Sequence, residues 1–301
     1  ALNVLDVSRS HTADVESAAA YTKRRLNREL YDVLVDPLIR GYVMNTAQDV
    51  SALEWFSALK NLGGETMLSL KGGNDRLPKA LARELDVRLN TRAISVTRKA
   101  AGVEVVCEDA AGQQFRDTAH ACVMAAQLPQ TMAIYPPARE MAGELGEKLR
   151  YNRAWVVQLG YRKQPDSKIV GMLIPTVEQP EIGLCWLEHN KNPDRAPVGH
   201  ALFSVYSDEA SNDTCYVLND EELIRLATEF IEQLFPTLRG HQDMTHVTRW
   251  PAAIPNTETG IYKAMSAMKQ RLVASDPVQL AGDYLTCTGQ NSAIFYGQGA
   301  A

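Results

Sequence analysis

The stretch Leu280 to Ala301, LAGDYLTCTGQNSAIFYGQGAA, sets an acidic side chain, Asp283, after a short apolar strand and Gly282, then continues into a polar turn and a helix of small residues. A carboxylate at a strand end accepts hydrogen bonds from a chain of sugar-like hydroxyls. The N–H groups that open a helix have no acceptor inside it and point at electron-rich oxygens. Asp283 and the turn Gln290, Asn291, Ser292 and Ala293 would be those two parts, and an order of this kind can hold a flavin.

Other chemistries find weaker support. The six histidines include one close pair, His241 and His246, but on a strand these face opposite sides, and no Glu or Cys stands at ligand spacing. No Ser or Cys occupies a G-x-S-x-G elbow, so a hydrolase would lack its nucleophile. Asp6, Asp14 and Glu16 read as solvated carboxylates, not as a catalytic pair. A net charge of −5 with both signs interspersed offers no basic face for a phosphate backbone, so nucleic acid is not an expected partner. The five cysteines, Cys107, Cys122, Cys185, Cys215 and Cys287, are scattered and form no C-x-x-C pair, which points to a reducing, cytoplasmic setting. No apolar run reaches the roughly 18 residues needed to span a bilayer. A peripheral membrane contact is compatible with this.

These residues must be positioned by a chain of 301 residues, 45% of them hydrophobic, which is ample for one large core or two. Spaced apolar positions between Val15 and Arg40 read as a helix with a break at Pro37, and the cluster Lys23, Arg24, Arg25 and Arg28 as its solvated face. Asp49 to Lys60 reads as a second helix, with Trp55 and Phe56 inward and a glycine stop at Gly63 and Gly64. KGGNDRLPKALAREL is a glycine turn opening a helix. Asp86 to Ala126 reads as a β-meander turning at Ala101-Gly102 and Ala111-Gly112, closed by a strand of small residues, Ala121 to Ala126. A helix over 139–149 leads into YNRAWVVQLGYRK, KIVGMLIP, EIGLCWLEH and GHALFSVYS, four strands of an antiparallel or mixed sheet. Asp220 to Phe235 is the clearest helix, capped by Asn219 or Asp220, with a stripe of Leu223, Leu226, Phe230, Ile231 and Leu234. His241 to Trp250 reads as a strand, RWPAAIPNTETGIYKA as a long ordered loop, and Met265 to Ala274 as a helix.

Four segments fall in one order: GGNDRLPKALARELDVRLNTRAISV, ACVMAAQLPQTMAIYPP, RWPAAIPNTETGIY and LAGDYLTCTGQNSAIFYGQGAA. In that order they resemble the superfamily of FAD-dependent amine oxidases, protoporphyrinogen oxidases and phytoene desaturases. The resemblance implies an α+β or α/β, two-domain flavoprotein: an incomplete FAD domain and a substrate domain with a mixed or antiparallel sheet and flanking helices. Its parts would be 1–70, the helical part of the substrate domain; 71–135, the meander of the FAD domain; 136–275, the substrate-domain sheet and helices; and 276–301, the return to the FAD domain. FAD would be held by main-chain groups near Ala93 at the adenine, where the family usually has Val, and by Gly282 and Asp283. Gln290, Asn291, Ser292 and Ala293 would lie at the flavin pyrimidine, and Trp250 would stack near the ring system. The bland alternative for Trp250 is packing in a sheet core. Ser292 stands where the family commonly has Gly, which could restrict backbone approach.

Two departures matter. The G-x-G-x-x-G fingerprint that brings backbone to the pyrophosphate is missing, and the sequence opens as though entered midway through a larger protein. The expectation is a fragment whose leading nucleotide-binding segment is missing or supplied elsewhere. Amine-oxidising relatives often carry a Lys beside the flavin, and here only Lys148 is near, at a shifted position, so it is not assigned that role. The expected activity is an FAD-dependent oxidoreductase: hydride transfer to flavin N5 from an apolar or polycyclic small molecule, such as a porphyrinogen- or carotenoid-like compound. A flavin amine oxidase is one alternative, and a non-catalytic binding or partner protein derived from this fold is the other.

Overall fold

The strand Tyr151–Tyr161 is the spine of a five-stranded antiparallel sheet in the computed structural model, which describes residues 6–62, 69–286 and 288–300. Among the described residues there are ten strands: β1 (Arg92–Lys99), β2 (Gly102–Glu108), β3 (Gln114–Ala119), β4 (Cys122–Met124), β5 (Tyr151–Tyr161), β6 (Gly171–Leu173), β7 (Leu184–Leu187), β8 (Ala201–Tyr206), β9 (Gln242–Pro255) and β10 (Val278–Leu280). The chain divides into two units. One comprises 1–15, 78–150 and 259–301; the other comprises 16–77 and 151–258.

The second unit holds the five-stranded sheet, in the order β6-β7-β8-β5-β9. Trp155, Val157, Leu159 and Tyr161, alternate residues of β5, share one face and are fully buried, as a period of two requires. The helix Asp220–Leu234 covers that face with Leu223, Ala227, Phe230 and Ile231. Its start is a capping box: Asn219 Oδ1 accepts from Glu222 N–H and Glu222 Oε2 from Asn219 N–H, both at 2.9 Å. A helical layer is built around Val35, Leu38, Ile39, Val43, Val50, Trp55 and Ala58. Asn152 Nδ2 donates to the carbonyls of Val43 and Met44 at 3.1 and 2.8 Å, tying β5 to that layer. Arg40, nearly fully buried, pairs with Asp208 and donates to the carbonyls of Ile174 and Pro180, both at 2.8 Å, and of Gln179. A guanidinium that satisfies its donors this way can be buried at tolerable cost.

Two details here differ from the sequence expectation. Pro37 does not break the first helix. The break falls at Leu26, which is extended, and Asn27 caps the next turn by accepting from Leu30 N–H at 2.8 Å. A π-helical turn, Tyr31–Val35, precedes Asp36–Val43, and the Asp36 N–H reaches back to the Tyr31 carbonyl. The widened turn absorbs the hydrogen bond that a proline nitrogen cannot make. RWPAAIP, read as loop, is strand: β9 runs on to Pro255, pairing Ala154 with Trp250 and Tyr151 with Pro255. It is an edge strand, where the missing N–H of Pro251 and Pro255 costs no ladder bond on the outer side.

The first unit carries the expected meander, β1-β2-β3, antiparallel throughout, and a short parallel pair, β4 with β10. The segment expected as one helix over 139–149 is two, Pro137–Ala142 and Glu144–Lys148, parted at Gly143 with φ 52°. Both pack with the helix Ile261–Lys269, and Ala138, Ala142, Leu145, Met265 and Met268 on these helices are buried. Residues 136–150 and 259–275, expected alongside the large sheet, and 6–15, expected with the helices, therefore belong to this unit. Asp6 and Asp14 are not solvated. Asp14 Oδ2 accepts from Tyr262 N–H at 2.9 Å, in the first turn of Ile261–Lys269, and Asp6 meets Lys269 Nζ at 2.5 Å. The glycine stop at Gly63 and Gly64, Cys287 and Ala301 lie outside the described residues.

Candidate flavin-contacting site

β10 delivers the chain to the site. Val278, Gln279 and Leu280 pair in parallel with Cys122, Val123 and Met124, and Ala281 N–H extends the ladder by donating to the Met124 carbonyl at 2.9 Å. The small residues of 121–126 are thus the neighbour strand of the candidate acid. Gly282 follows in extended conformation. A Cβ at Gly282 would collide with the Tyr284 ring, so its glycine identity is explained by packing of that ring. Asp283, Tyr284 and Leu285 form one 3-10 turn, with Tyr284 and Leu285 fully buried. Thr286, also buried, accepts from Val7 N–H at 3.1 Å, which pins the turn to the start of the described chain.

Asp283 is half-buried, and burial raises its carboxyl above the ordinary aspartate range while N–H groups of Tyr284 and Asp283 itself work in the opposite direction. No ion pair engages it among the described residues. Its carboxylate is therefore a partly desolvated acceptor, suited to hydroxyl donors and not to a cation already in place. Nearby in sequence, Thr288 Oγ1 is buried and has no hydrogen-bond partner among the described residues. Such a group is expected to meet a ligand or a water. The sequence reading missed Thr288, although its position between Asp283 and the helix was a usable signal.

The terminal helix is Gln290–Ala300, opened after Gly289 at φ 145°. Its first internal hydrogen bond runs from Ala293 N–H to the Gly289 carbonyl at 3.0 Å, so the N–H groups of residues 290–292 stand ahead of the helical ladder. Gln290, Asn291 and Ala293 are exposed, whereas Ser292 is buried. The hydroxymethyl group that replaces glycine in the family pattern thus points inward and leaves the exposed face to the amides. The helix is held in place farther along, where Tyr296 OH accepts from Lys269 Nζ at 2.7 Å. The same ammonium meets Asp6, which also accepts from Ser8 Oγ at 2.7 Å. Burial pushes the Asp6 carboxyl up, but the Lys269 and Ser8 hydrogen bonds outweigh it and leave the pKa below the ordinary value.

Ala93 lies on β1, half-buried, opposite Cys107, and the register slips between Ala93 and Ser95. An edge strand with an irregular ladder leaves main-chain groups for a ligand. Ala93 and the Asp283 turn belong to one unit. Trp250 belongs to the other, on edge strand β9, and is 53% exposed, so it is not packed in the sheet core. Lys148 is exposed and paired with Glu144 at 2.6 Å. No group of three or more His, Cys, Asp or Glu able to hold a metal occurs among the described residues, and no described helix is long and apolar enough to cross a membrane.

The donor set fits a flavin in part: an acceptor for hydroxyls at Asp283, a spare hydroxyl at Thr288 and a helix start aimed by its own anchors. It offers nothing resembling a pyrophosphate cradle, since the fingerprint is absent from the sequence. The chain is 20% identical over 306 residues to coproporphyrinogen III oxidase of Bacillus subtilis (strain 168), covering 92% of this chain and 63% of that one. It thus spans less than two thirds of that relative's length. Among solved structures it is similar to a protein of Exiguobacterium sp. 255-15 provisionally assigned as a protoporphyrinogen oxidase, with a TM-score of 0.74 at 17% identity, covering 94% of this chain and 65% of that one. It is also similar to cyclohexylamine oxidase of Brevibacterium oxydans IH-35A, with a TM-score of 0.72 at 13% identity, covering 98% and 69%. These likenesses show the fold, a mixed helix and sheet architecture of the flavin amine oxidase type. The model of the family described as flavin containing amine oxidoreductase matches residues 5–301. The chain belongs to that family, whose members are oxidoreductases and whose cofactor is FAD.

Proposed function

We propose that this chain forms the flavin-ring contacts and the substrate unit of an FAD-dependent oxidoreductase acting on an apolar, polycyclic small molecule of the porphyrinogen class. The observation that carries the reading is the Asp283 turn: a half-buried carboxylate without a cation, followed by the orphaned Thr288 hydroxyl and the anchored start of Gln290–Ala300. The first unit would be the flavin unit and the second the substrate unit. When bound, the flavin supplies the electron acceptor for removal of hydrogen from the substrate. This chain's residues bind and orient. Asp283 would accept hydrogen bonds from the ribityl hydroxyls, and the N–H groups at 290–292 would face the pyrimidine oxygen, where negative charge is stabilised by the helix start. Main-chain groups around Ala93 would take the adenine.

The parallel pair β4 and β10 has no third partner strand among the described residues, and parallel sheets are rarely so small or so open. This supports the reading that the pyrophosphate-binding part is contributed by a segment other than those described. The porphyrinogen class is favoured over carotenoid-like substrates by the likeness to the Bacillus enzyme. The amine oxidase reading is supported by the likeness to cyclohexylamine oxidase, but Lys148 offers no group for it, being exposed and paired with Glu144. A non-catalytic partner protein would have no need for Asp283 and Thr288 as they stand.

The test is anaerobic mixing of the purified flavoprotein with coproporphyrinogen III, protoporphyrinogen IX, cyclohexylamine or putrescine while the flavin absorbance is followed. Bleaching by a porphyrinogen and not by the amines is the expected result. Bleaching by an amine alone would transfer the assignment to amine oxidation, and bleaching by none would favour the non-catalytic reading.

A further inference from the structure

The corner between the first two helices of the second unit has an unusual surface. Every residue from Lys23 to Leu30 is exposed. Four aliphatic side chains stand out into solvent there: Leu26, Leu30, Val33 and Leu34, the last two lifted by the π-helical turn Tyr31–Val35. Leu30, Val33 and Leu34 follow within little more than one turn and are each exposed, whereas Val35, Leu38 and Ile39 just beyond them are buried. Single exposed apolar residues need no explanation, but a contiguous group does.

The flank of that group is basic. Lys23, Arg24, Arg25 and Arg28 stand against only Glu29 and Asp32 within the corner, on a chain whose net charge is −5. Arg24 is paired with Glu16 and Arg28 with Asp32. Lys23 and Arg25 have no carboxylate partner among the described residues. Aliphatic side chains beside a band of Lys and Arg are the two terms that bind an amphipathic segment to an anionic bilayer: apolar burial at the acyl boundary and attraction to the headgroups. A second copy of this chain is a poor occupant, because a symmetric contact at the corner would bring its cations against their own images.

We propose that the corner 23–34 docks on an anionic lipid surface, inserting Leu26, Leu30, Val33 and Leu34 while Lys23 and Arg25 meet the headgroups. The inference is independent of the flavin reading, since no residue of that reading lies in the corner.

The experiment is flotation of the full-length protein with vesicles of phosphatidylcholine alone and of phosphatidylcholine containing a quarter phosphatidylglycerol. Binding only to the anionic vesicles, weakening as salt is raised, is expected. Lys23→Gln and Arg25→Gln should each weaken it about fivefold, and the triple change Leu30→Ser, Val33→Ser, Leu34→Ser should abolish it. Val198→Ser, at an exposed valine outside the corner, should leave it unchanged. Equal binding to both vesicle types, no binding to either, or binding indifferent to the corner variants overturns the proposal. So does self-association in sedimentation velocity that the triple change abolishes, because it would make a second copy the occupant.

Discussion

The two units solve the same problem, holding a polar chain in an apolar interior, by different means. The second unit is organised by one large sheet whose central strand, β5, is buried along most of its length, and its buried cation, Arg40, is partnered by Asp208 and three carbonyls. The first unit has two small sheets and is assembled from three separate stretches of chain. It is tied together by buried carboxylates near the start, Asp14 on the Tyr262 N–H and Asp6 on Lys269. The lesson is that the unit with the larger sheet core can bury a complete ion network for specificity, while the unit with smaller sheets uses polar pins to bring remote segments together. Those pins also aim the terminal helix through Tyr296.

The sharpest way to break this comparison is at Arg40. Arg40→Ala leaves Asp208 buried without a counter-charge and should cost about 3 to 5 kcal/mol in urea denaturation. A loss under 1 kcal/mol would show that the network is not an organising feature of the second unit. The next effect depends on pH. Burial pushes the Glu54 carboxyl up to about 7, against a lowering hydrogen bond from Thr257. A raised folded-state pKa means that this contribution is complete below the unfolded value, about 4.3, and is lost as pH rises through 7. Glu54→Gln should therefore stabilise the protein at pH 8 by on the order of 2 to 3 kcal/mol and give no gain at pH 4. Equal effects at both pH values would contradict the assignment.

Asp6 tests the first unit with the opposite sign. Its folded-state pKa is depressed, so its contribution is present above the unfolded value, about 3.9, and is lost as pH falls through the folded value. Asp6→Asn should cost about 1 to 2 kcal/mol at pH 7 and flatten the acid limb of the stability curve. An unchanged acid limb would remove Asp6 from the set of pins. Asn219→Ala, which deletes one half of the capping box, should cost about 1 kcal/mol by thermal unfolding. The smallest expected change is Trp250→Ala. A side chain 53% exposed should alter stability by less than about 0.5 kcal/mol, while the fluorescence of bound flavin should change if the indole contacts the ring. A large stability loss would instead favour a packing role.

Much of this was legible in the sequence because it is periodic or local. The alternation in AWVVQLGY marks β5, the 3.6-residue stripe of 220–234 marks its helix, and Ala101-Gly102 and Ala111-Gly112 mark the meander turns. The misreadings have physical causes. Prolines in RWPAAIP suggested a loop because a central strand could not hold them, but β9 is an edge strand. Pro37 suggested a break, but a π-turn accommodates it. Asp6 and Asp14 looked solvated because their partners, Lys269 and Tyr262, lie 263 and 248 residues away. Of the candidate site, the order Gly282, Asp283 and Gln290–Ala293 was visible as motif. The burial of Ser292, the orphaned Thr288 hydroxyl and the Tyr284 ring that requires Gly282 emerge only from the packed structure.

The Asp283 turn and the start of Gln290–Ala300 are proposed to hold a flavin. The most direct measurement is the absorbance spectrum of the full-length protein as purified, beside its Asp283→Ala variant. The expected result is yellow protein with flavin near one per chain, and a variant that folds but carries at least about tenfold less, as loss of a charge-assisted contact of about 1.5 to 3 kcal/mol implies. Folded wild-type protein that is colourless and ignores added FAD, or a variant that retains its full flavin complement, would contradict it.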